Sequence, residues 1–279
     1  MFQYAFARRL AHKHGTELKF DMGFFVDQDE SNPNHVVRYY DLDIFNVTGT
    51  AATSDEISRL ATRTGNDLAE RMLNKLLGPK SSHVREPHFH FSEAAYNSPD
   101  NVYLDGYWQS ERYFADCEDL IRSDFTFKED LAPNARQLLN EIESTDSVCV
   151  NVRRGDFVTN PFHGTMGQEY YRQGEAIVKQ RTPSPTIYVF SDEVEWCESN
   201  LKFDAPTVYV SHDFAGPKFQ DYLRLMAACK HFIIPNSSFA WWAVCFNRNA
   251  DRTVVAPAQW FSDPTWDPKD LIPADWIRI

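Results

Sequence analysis

Residues 148–156 read V-C-V-N-V-R-R-G-D, and this stretch decides the fold class. Its first part, Val148 to Val152, is short, apolar and rich in β-branched residues, with Asn151 as its one strongly polar residue. Such a run predicts a strand that is buried on both faces of a parallel sheet. Ligands of parallel sheets bind at the carboxyl ends of the strands. Arg153 and Arg154 follow this strand directly, so we expect them at a ligand site.

The two arginines predict a site for a diphosphate. A guanidinium is a planar fork of donors that matches phosphate oxygens, and each shielded charge-assisted hydrogen bond contributes roughly 1.5–3 kcal/mol. Adjacent side chains of an extended segment point to opposite faces, so Arg153 and Arg154 cannot serve the same purpose. We expect one to bind the phosphate and the other to brace Asp156 or the loop. The alternative is a surface cluster of ion pairs without a ligand.

The composition is that of a folded, acidic protein. The 279 residues suffice for two domains, and a hydrophobic content of 43% excludes a disordered chain. The formal net charge of −12 argues against nucleic acid or an anionic membrane as the partner, because both require a cationic surface. An anionic ligand must therefore bind in a local basic pocket.

Cysteine usage and hydropathy bear on the cellular compartment. The five cysteines are an odd number without C-x-x-C spacing, which indicates buried thiols in a reducing environment. No stretch approaches 18 consecutive apolar residues, and the N-terminus lacks the pattern of a signal peptide. We therefore expect no transmembrane segment and a cytoplasmic location.

The second half of the chain alternates strand and helix patterns. The stretch 128–135, which contains Pro133, is the expected boundary between domains 1–133 and 134–279. Helical patterns cover 168–179, 194–200, 221–228 and 238–246, and strand patterns cover 187–190, 208–210, 232–234 and 253–255. Strict alternation of this kind predicts a doubly wound α/β domain.

The first half begins with a helical pattern over 1–14 that leads into an alternating strand over 17–21. A second helical pattern spans 54–77 and stops at Gly78-Pro79. A helix that starts at residue 1 and leads to a strand lacks the preceding strand of its βαβ unit. We therefore expect the start of this domain to be missing from the chain.

A second predicted strand end carries a carboxylate. The strand over 187–190 is followed by Ser191-Asp192. At the edge of a sheet, the carboxylate of Asp192 can accept hydrogen bonds from both the ring N–H and the exocyclic amine of a guanine. The alternative is that this pair caps the N-terminus of the helix over 194–200.

A third predicted strand end carries small polar residues. The strand over 232–234 is followed by Pro235-Asn236-Ser237-Ser238 at the start of a helix. Hydroxyls, unpaired backbone N–H groups and the positive end of the helix dipole together form an anion site. The alternative is simple capping of the helix by Ser237 or Ser238. The following Trp241-Trp242 is expected in the core.

Five motifs together resemble glycosyltransferase family 11, the α-1,2-fucosyltransferase family. They are M-F-Q-Y-A-F-A from Met1, G-Y-W-Q-S-E-R-Y-F from Gly106, V-N-V-R-R-G-D-F from Val150, V-F-S-D-E from Val189, and C-K-H-F-I-I-P-N-S-S-F-A-W-W from Cys229. The resemblance runs nearly from end to end and includes D-L-I-P-A-D-W-I from Asp270. Each motif alone is weakly specific, whereas the combination is highly specific.

The resemblance implies a GT-B fold, in which two Rossmann-like domains face each other across a cleft. It implies transfer of L-fucose from GDP-β-L-fucose, with inversion, to the 2-hydroxyl of a β-galactoside such as lactose, and no required metal or other cofactor. It further implies that Arg153 or Arg154 holds the β-phosphate and that Asp192 contacts guanine. Ser237 and Ser238 would bind the phosphates, with Asn236 beside them in the donor site.

Two departures from the family pattern support alternatives. The segment G-G-L-G-N-Q that precedes M-F-Q-Y-A in the family would lie before Met1, so a glycine loop is expected to be missing. Asn151 stands where the family often has histidine, and an asparagine cannot titrate. A non-catalytic or truncated GDP-sugar-binding relative is therefore one alternative function, and a transferase for another nucleotide sugar is a second.

The reaction implied by the resemblance requires a base that deprotonates the acceptor hydroxyl. Asp156 is the first candidate, because a carboxylate beside arginines stays ionised, although the same arginines would weaken it as a base. His163 is the second candidate and Glu169 the third. Asp156 would alternatively serve only as the ion-pair partner that orients an arginine.

Two further groups of residues lie in the first domain. Aromatic faces stack on sugars and polar groups bind hydroxyls, so the candidates for acceptor contacts are Tyr107, Trp108, Gln109 and Glu111. For the aromatic candidates, the alternative is burial in the core. Three histidines have the spacing of a metal site, but loop histidines are usually solvated, so we expect no metal at His83, His88 and His90.

Overall fold

The computed structural model describes residues 1–26, 28, 37–62, 78–160, 162–263 and 265–279. The chain divides into two compact units. The first unit comprises Met1–Lys128 and Lys269–Leu271, and the second comprises Glu129–Pro268 and Ile272–Ile279. In the part of the chain that the structure describes, no helix is both long and apolar enough to cross a membrane.

The first unit combines short helices with paired short strands. Its helices are α1 (Phe2–His14), α2 (Gly23–Val26), α3 (Ser54–Leu60), α4 (Glu93–Tyr96) and α5 (Glu118–Asp124). Its strands are β1 (Lys19–Phe20), β2 (Thr50–Ala51), β3 (His83–Arg85) and β4 (Tyr103–Asp105). Strand β1 pairs with β2 and β3 pairs with β4, both in parallel. The helix predicted over 1–14 is confirmed, and the strand predicted over 17–21 is shorter than expected.

Helix α1 packs its apolar face onto an aromatic cluster. The ring of Phe6 lies 5.1 Å from the ring of Trp108 and 4.5 Å from that of Tyr113, measured between centroids. The helix ends at Gly15, whose φ of 66° places it in the left-handed region that glycine tolerates. Trp108 is fully buried in this cluster. The structure therefore supports Trp108 as a core residue and not as a contact to the acceptor.

The helical pattern predicted over 54–77 does not continue through residue 61. Helix α3 starts with a capping box, in which Thr53 and Glu56 bond to each other's backbone N–H groups. It stops at Leu60 because Ala61 has an extended backbone, with ψ at 140°. The Nδ1 atom of His83 accepts a hydrogen bond from the N–H of Thr62 (2.7 Å), which draws the chain away from the helix axis. Residues 63–77 of this prediction lie outside the described residues.

The second unit is an α/β domain. Its strands are β5 (Ser147–Val152), β6 (Thr186–Ser191), β7 (Thr207–Tyr209), β8 (His231–Ile233), β9 (Val254–Ala256) and β10 (Ile277–Arg278). Its helices are α6 (Pro133–Ser144), α7 (Gln168–Lys179), α8 (Val194–Asn200), α9 (Gln220–Ala228) and α10 (Ser238–Phe246). The strands form one parallel sheet in the order β10-β9-β8-β5-β6-β7. The predicted α/β class with a parallel sheet is confirmed.

Strand β5 lies in the centre of this sheet, as its sequence predicts. All six of its residues are buried, and Val150 is opposite Val189 of β6 on one side and Ile233 of β8 on the other. The chain runs from β5 outward through β6 and β7, and then returns to β8 on the other side of β5. The strand order therefore reverses between β5 and β8, and such a reversal opens a crevice at the carboxyl ends of the strands.

The helices that cover the sheet pack closely. A Cβ atom on Gly174 of α7 would lie 2.6 Å from Cγ2 of Ile233, so glycine is required for α7 to approach β8 this closely. On α10, Trp241 and Trp242 are both buried, which confirms their predicted place in the core.

Candidate functional site

Three segments rich in polar residues meet at the carboxyl edge of the sheet. Strand β5 is paired with both β6 and β8, so the residues that follow Val152, Ser191 and Ile233 are brought to one edge. The polar residues that follow the three strands in the sequence predict this convergence.

The side chain of Arg153 connects two of these segments. Its Nη2 atom donates a hydrogen bond to Oδ1 of Asp156, and its Nη1 atom lies 2.7 Å from Oδ2 of Asp192. The guanidinium carbon is 5.3 Å from the centre of the Phe157 ring. About 30% of the side chain remains exposed, so the guanidinium is fixed by two carboxylates and is still accessible from solvent.

The side chain of Arg154 has different partners. Its Nε atom donates to Oε2 of Glu193 (2.9 Å), and its guanidinium carbon lies 3.6 Å above the ring of Trp196 on α8. The ion pair and the cation–π contact hold this arginine against α8. The two arginines thus have separate partners, as their adjacent positions predicted. Which of them binds a phosphate stays a prediction.

Asp192 is directed at the arginine segment. Its Oδ1 atom accepts the backbone N–H of Arg154 at 2.9 Å. The helix α8 has Glu193 at its N-cap, and Ser191 Oγ accepts the N–H of Glu193, so Asp192 does not cap this helix. A Cβ on Gly155 would lie 2.6 Å from Oδ2 of Asp192, which explains the glycine of the R-R-G-D motif. Oδ2 is buried at ion-pair distance from Arg153 and accepts no hydrogen bond from the described residues, and the guanine contact stays a prediction.

Asn236 ties the loop after β5 to the end of β8. Its Nδ2 atom donates to the carbonyl oxygens of His163 (2.7 Å) and Trp260 (3.0 Å). The His163 ring stacks on Phe157, with centroids 4.2 Å apart and planes inclined by 7°. The Oδ1 atom of Asn236 is buried and has no hydrogen-bond partner among the described residues. Asn236 therefore holds the backbone of the loop whose Phe157 ring lies under Arg153.

The two serines at the start of α10 have different environments. Ser237 is the buried N-cap, and its Oγ atom accepts the N–H of Ala240 at 3.4 Å, so the capping interpretation applies to it. Ser238 is exposed in the first turn. The predicted phosphate contacts of both serines stay predictions.

The candidates for the base lie at different distances from this network. Asp156 is paired with Arg153, and its side chain is 14% exposed. His163 is held through its carbonyl oxygen by Asn236. Glu169 is exposed in the first turn of α7, where it accepts a hydrogen bond from Gln173 at 2.9 Å. Geometry therefore keeps Asp156 and His163 beside the arginines, whereas Glu169 bonds within its own helix.

Within the first unit, Glu86 organises the segment that contains the aromatic candidates. Its carboxylate accepts the backbone N–H groups of Tyr107 (2.7 Å) and Trp108 (3.0 Å), and burial raises its pKa. Tyr107 is exposed, Gln109 is half-buried and Glu111 is exposed, whereas Trp108 belongs to the core.

The histidine cluster does not assemble. Both ring nitrogens of His83 are engaged, since Nδ1 accepts from Thr62 and Nε2 lies 3.0 Å from Oδ2 of Asp105. The rings of His88 and His90 lie 4.9 Å apart. No group of three His, Cys, Asp or Glu side chains among the described residues is placed to hold a metal ion.

Comparison with known families assigns the chain. The sequence model of the family described as "Glycosyl transferase family 11" matches residues 57–279. The chain belongs to glycosyltransferase family 11. This match includes the arginine motif after β5 and the polar segments after β6 and β8.

Several known proteins are similar to the chain over different shares of its length. An α-1,2-colitosyltransferase of Escherichia coli is 33% identical over 62% of the chain and 61% of its own length. The O-antigen biosynthesis glycosyltransferase WbnK of Escherichia coli is 28% identical over 100% of the chain and 96% of its own length. A galactoside α-(1,2)-fucosyltransferase 1 of Bos taurus is 30% identical over 50% of the chain and 42% of its own length. The chain thus spans less than two thirds of the first and third of these relatives.

Among solved structures, the selenomethionine form of the fucosyltransferase NodZ from Bradyrhizobium is 16% identical, with a TM-score of 0.43. The similarity covers 88% of this chain and 87% of the NodZ chain.

Two side chains that hold Arg154, Glu193 and Trp196, were not predicted from the sequence. Their partner Arg154 lies 39 residues before Glu193. The sequence did contain a signal for Trp196. It is an aromatic residue in the first turn of α8, the helix that follows β6, and arginine stacks on such rings.

Proposed function

We propose that this chain transfers L-fucose from GDP-β-L-fucose to the 2-hydroxyl of a terminal β-galactoside, with inversion and without a metal. The observation that carries the proposal is Arg153, a partly exposed cation fixed by Asp156 and Asp192 at the point where the strand order reverses. Family membership supports glycosyl transfer, and the names of the relatives support an α-1,2 linkage.

The proposed reaction breaks one bond and forms another at the anomeric carbon. The acceptor O2 attacks C1 of fucose while the bond from C1 to the β-phosphate oxygen breaks, and GDP leaves with the electron pair. The sugar becomes oxocarbenium-like, and negative charge grows on the diphosphate. A cation that is held in place before the reaction stabilises this charge without reorganisation, and a donor of this kind is worth roughly 10²–10³ in rate.

The acceptor proton goes to a base. We assign this role first to Asp156, which Arg153 keeps close to the developing charge, and second to His163. Acceptor contacts are proposed for Tyr107, Gln109 and Glu111 of the first unit. We place the reaction in the cytoplasm, since thiols such as the buried Cys149 and Cys229 are typical of a reducing compartment.

A second candidate is transfer of colitose, the 3-deoxy analogue of fucose, from its GDP derivative. The relative that is named for this activity supports it. The two donors differ by one hydroxyl, so the proposed roles of Arg153 and of the base are the same in both reactions.

The test measures GDP release and the linkage of the product with GDP-fucose and GDP-colitose, with and without lactose, in the presence of a chelator. Lactose-dependent release from GDP-fucose with an α-1,2-linked product supports the proposal, and release from GDP-colitose alone supports the second candidate. A chain extended by G-G-L-G-N-Q before Met1 is compared in parallel. Activity only in the extended chain would indicate a truncated enzyme, and GDP binding without release in either chain would favour a non-catalytic relative.

A further inference from the structure

Residues 216–219, which lie between β7 and α9, have an unusual backbone. Three of these four residues, Gly216 (φ 66°), Lys218 (φ 52°) and Phe219 (φ 59°), adopt the left-handed conformation. Glycine tolerates this conformation, whereas Lys and Phe carry a Cβ that makes it unfavourable. Strained backbone of this kind persists where the surrounding structure enforces it, and it clusters at ligand sites.

Backbone hydrogen bonds on either side of residues 216–219 fix the turn, and a buried aspartate anchors the helix that follows it. The backbone N–H groups of Asp221 (2.9 Å) and Tyr222 (3.2 Å) both donate to the carbonyl oxygen of Ala215. The Asp221 carboxylate is buried, accepts the N–H of Ala132 at 3.3 Å and lies 3.4 Å from Nη1 of Arg224. The chain must therefore turn within residues 216–219 before α9 begins.

This turn exposes an aromatic side chain. Phe219 is 43% exposed, which is high for a large apolar residue. Its ring contacts His212 and Tyr222 at oblique to perpendicular angles, with centroid distances of 5.8 Å in both cases. These two rings support Phe219, and much of its surface stays open to solvent.

Phe219 belongs to the same edge of the sheet as the arginine network. The Nε2 atom of His212 donates to the carbonyl oxygen of Ser191 at 2.9 Å. The next residue, Asp192, is the ion-pair partner of Arg153. Strands β5, β6 and β7 are consecutive in the sheet, and a spacing of about 4.8 Å places the end of β7 roughly 10 Å from the end of β5. A nucleoside diphosphate with its β-phosphate at Arg153 reaches about this far.

We infer that the exposed face of Phe219 stacks on the base of the GDP donor. The inference rests on the proposed function, because it takes GDP as the ligand. Stacking on an aromatic ring tolerates any base. Phe219 therefore supplies affinity for the nucleoside, and it does not choose guanine over adenine.

The test compares the binding of GDP and of inorganic pyrophosphate by calorimetry. Phe219→Ala is expected to weaken GDP about 5- to 100-fold, as loss of one stacked base implies, and to leave pyrophosphate unchanged. Phe219→Trp is expected to retain GDP affinity. The matched control is Phe24→Ala, which removes another exposed phenylalanine, 62% exposed on α2, and is expected to change neither affinity.

Phe219→Gly separates stacking from backbone effects. Glycine tolerates a φ of 59°, so this variant is expected to melt at the same or a higher temperature and still to lose GDP affinity. Unchanged GDP affinity in Phe219→Ala and Phe219→Gly, or an equal loss for GDP and pyrophosphate, would overturn the inference. A wild-type chain that binds GDP but transfers no sugar would contradict the proposed function alone.

Discussion

The Oδ2 atom of Asp192 lies 2.7 Å from Nη1 of Arg153, although the two residues follow different strands. This ion pair joins the end of β6 to the end of β5. Asp192 also accepts the backbone N–H of Arg154, so one carboxylate orients the whole arginine segment. Arg153 is thereby positioned before any ligand binds, which is the condition for efficient stabilisation of developing charge.

Arg153→Ala is expected to lower kcat for GDP-fucose roughly 10²- to 10³-fold, because the diphosphate loses its fixed cation. The variant also leaves two carboxylates without their cation, at a cost of about 1–3 kcal/mol in the free energy of unfolding. Steady-state kinetics and urea unfolding measure both effects.

Arg154→Ala is the informative comparison, since its guanidinium is held by Glu193 and Trp196. It should lose stability with a smaller loss of kcat. The surface control is Arg85→Ala, whose side chain is 54% exposed beside Asp105. Equal losses of kcat in Arg153→Ala and Arg154→Ala would contradict the distinction between the two arginines.

Gly155→Ala is expected to weaken GDP binding. The new Cβ would lie 2.6 Å from Oδ2 of Asp192, so the carboxylate must move away from Arg153. Loss of the contact between Asp192 and Arg153 predicts a decrease of about 1.5–3 kcal/mol in the free energy of unfolding. Arg153 is then no longer held in place for the diphosphate, which weakens GDP binding. Gly167→Ala, at the N-cap of α7, has nothing within 4 Å of the new atom. It should cost about 0.5–1 kcal/mol in capping. GDP affinity that decreases equally in the two variants would refute the steric explanation.

Asn236→Ala is expected to reduce both stability and turnover. It removes the donor to one buried and one partly buried carbonyl group, which costs about 1–3 kcal/mol, and it releases the loop that carries His163. Asn247 makes the same pair of bonds after the other end of α10, to the carbonyl oxygens of Ala227 (2.7 Å) and Cys229 (2.9 Å). Asn247→Ala should therefore lower the free energy of unfolding as much as Asn236→Ala does, but retain the wild-type kcat. If both variants lose turnover to the same extent, Asn236 has no special connection to the site.

His231 is expected to make the fold sensitive to acid. Its Nδ1 atom accepts the N–H of Thr253 and its Nε2 donates to Thr182, so the buried ring is neutral, and burial lowers its pKa below 6.5. The unfolded chain binds the proton more readily. The contribution of the neutral His231 ring to stability is therefore fully present above about pH 6.5. It is lost as the pH falls toward the lowered pKa of His231 in the folded protein.

Urea unfolding between pH 5 and 8 measures this effect. The decrease in unfolding free energy below pH 6.5 should be smaller in His231→Gln than in the wild type, because glutamine does not titrate. Identical pH profiles in the two proteins would show that His231 does not contribute to the acid sensitivity.

Local patterns in the sequence were sufficient for the α/β domain. The apolar run of β5 and the alternation after residue 134 reflect burial of each strand on both faces, which depends on neighbouring residues in the chain. The three strand ends could be placed on one edge because parallel strands have their carboxyl ends together. The end of α3 could not be predicted, since it depends on His83, more than twenty residues away.

The partners within the site were harder to predict than its position. The sequence brings Arg153 and Asp192 to one edge, but the choice of Glu193 and Trp196 as partners of Arg154 depends on the rotation of α8 against β5. The role of Asn236 likewise depends on loop carbonyls 73 and 24 residues away. Contacts of this kind leave no periodic pattern in the sequence.

The segment Lys269–Leu271 has a consequence for building chimeras within the family. The chain leaves the second unit at residue 268, adds three residues to the first, and returns to form β10. In the first unit, Asp270 accepts the N–H of Phe91 (2.9 Å) and pairs with Arg112 (3.0 Å). Neither unit is therefore a continuous piece of chain. Exchange of residues 1–128 between relatives by a single crossover would combine Arg112 of one parent with Asp270 of the other, so recombination requires a second, matched junction at residues 268–272.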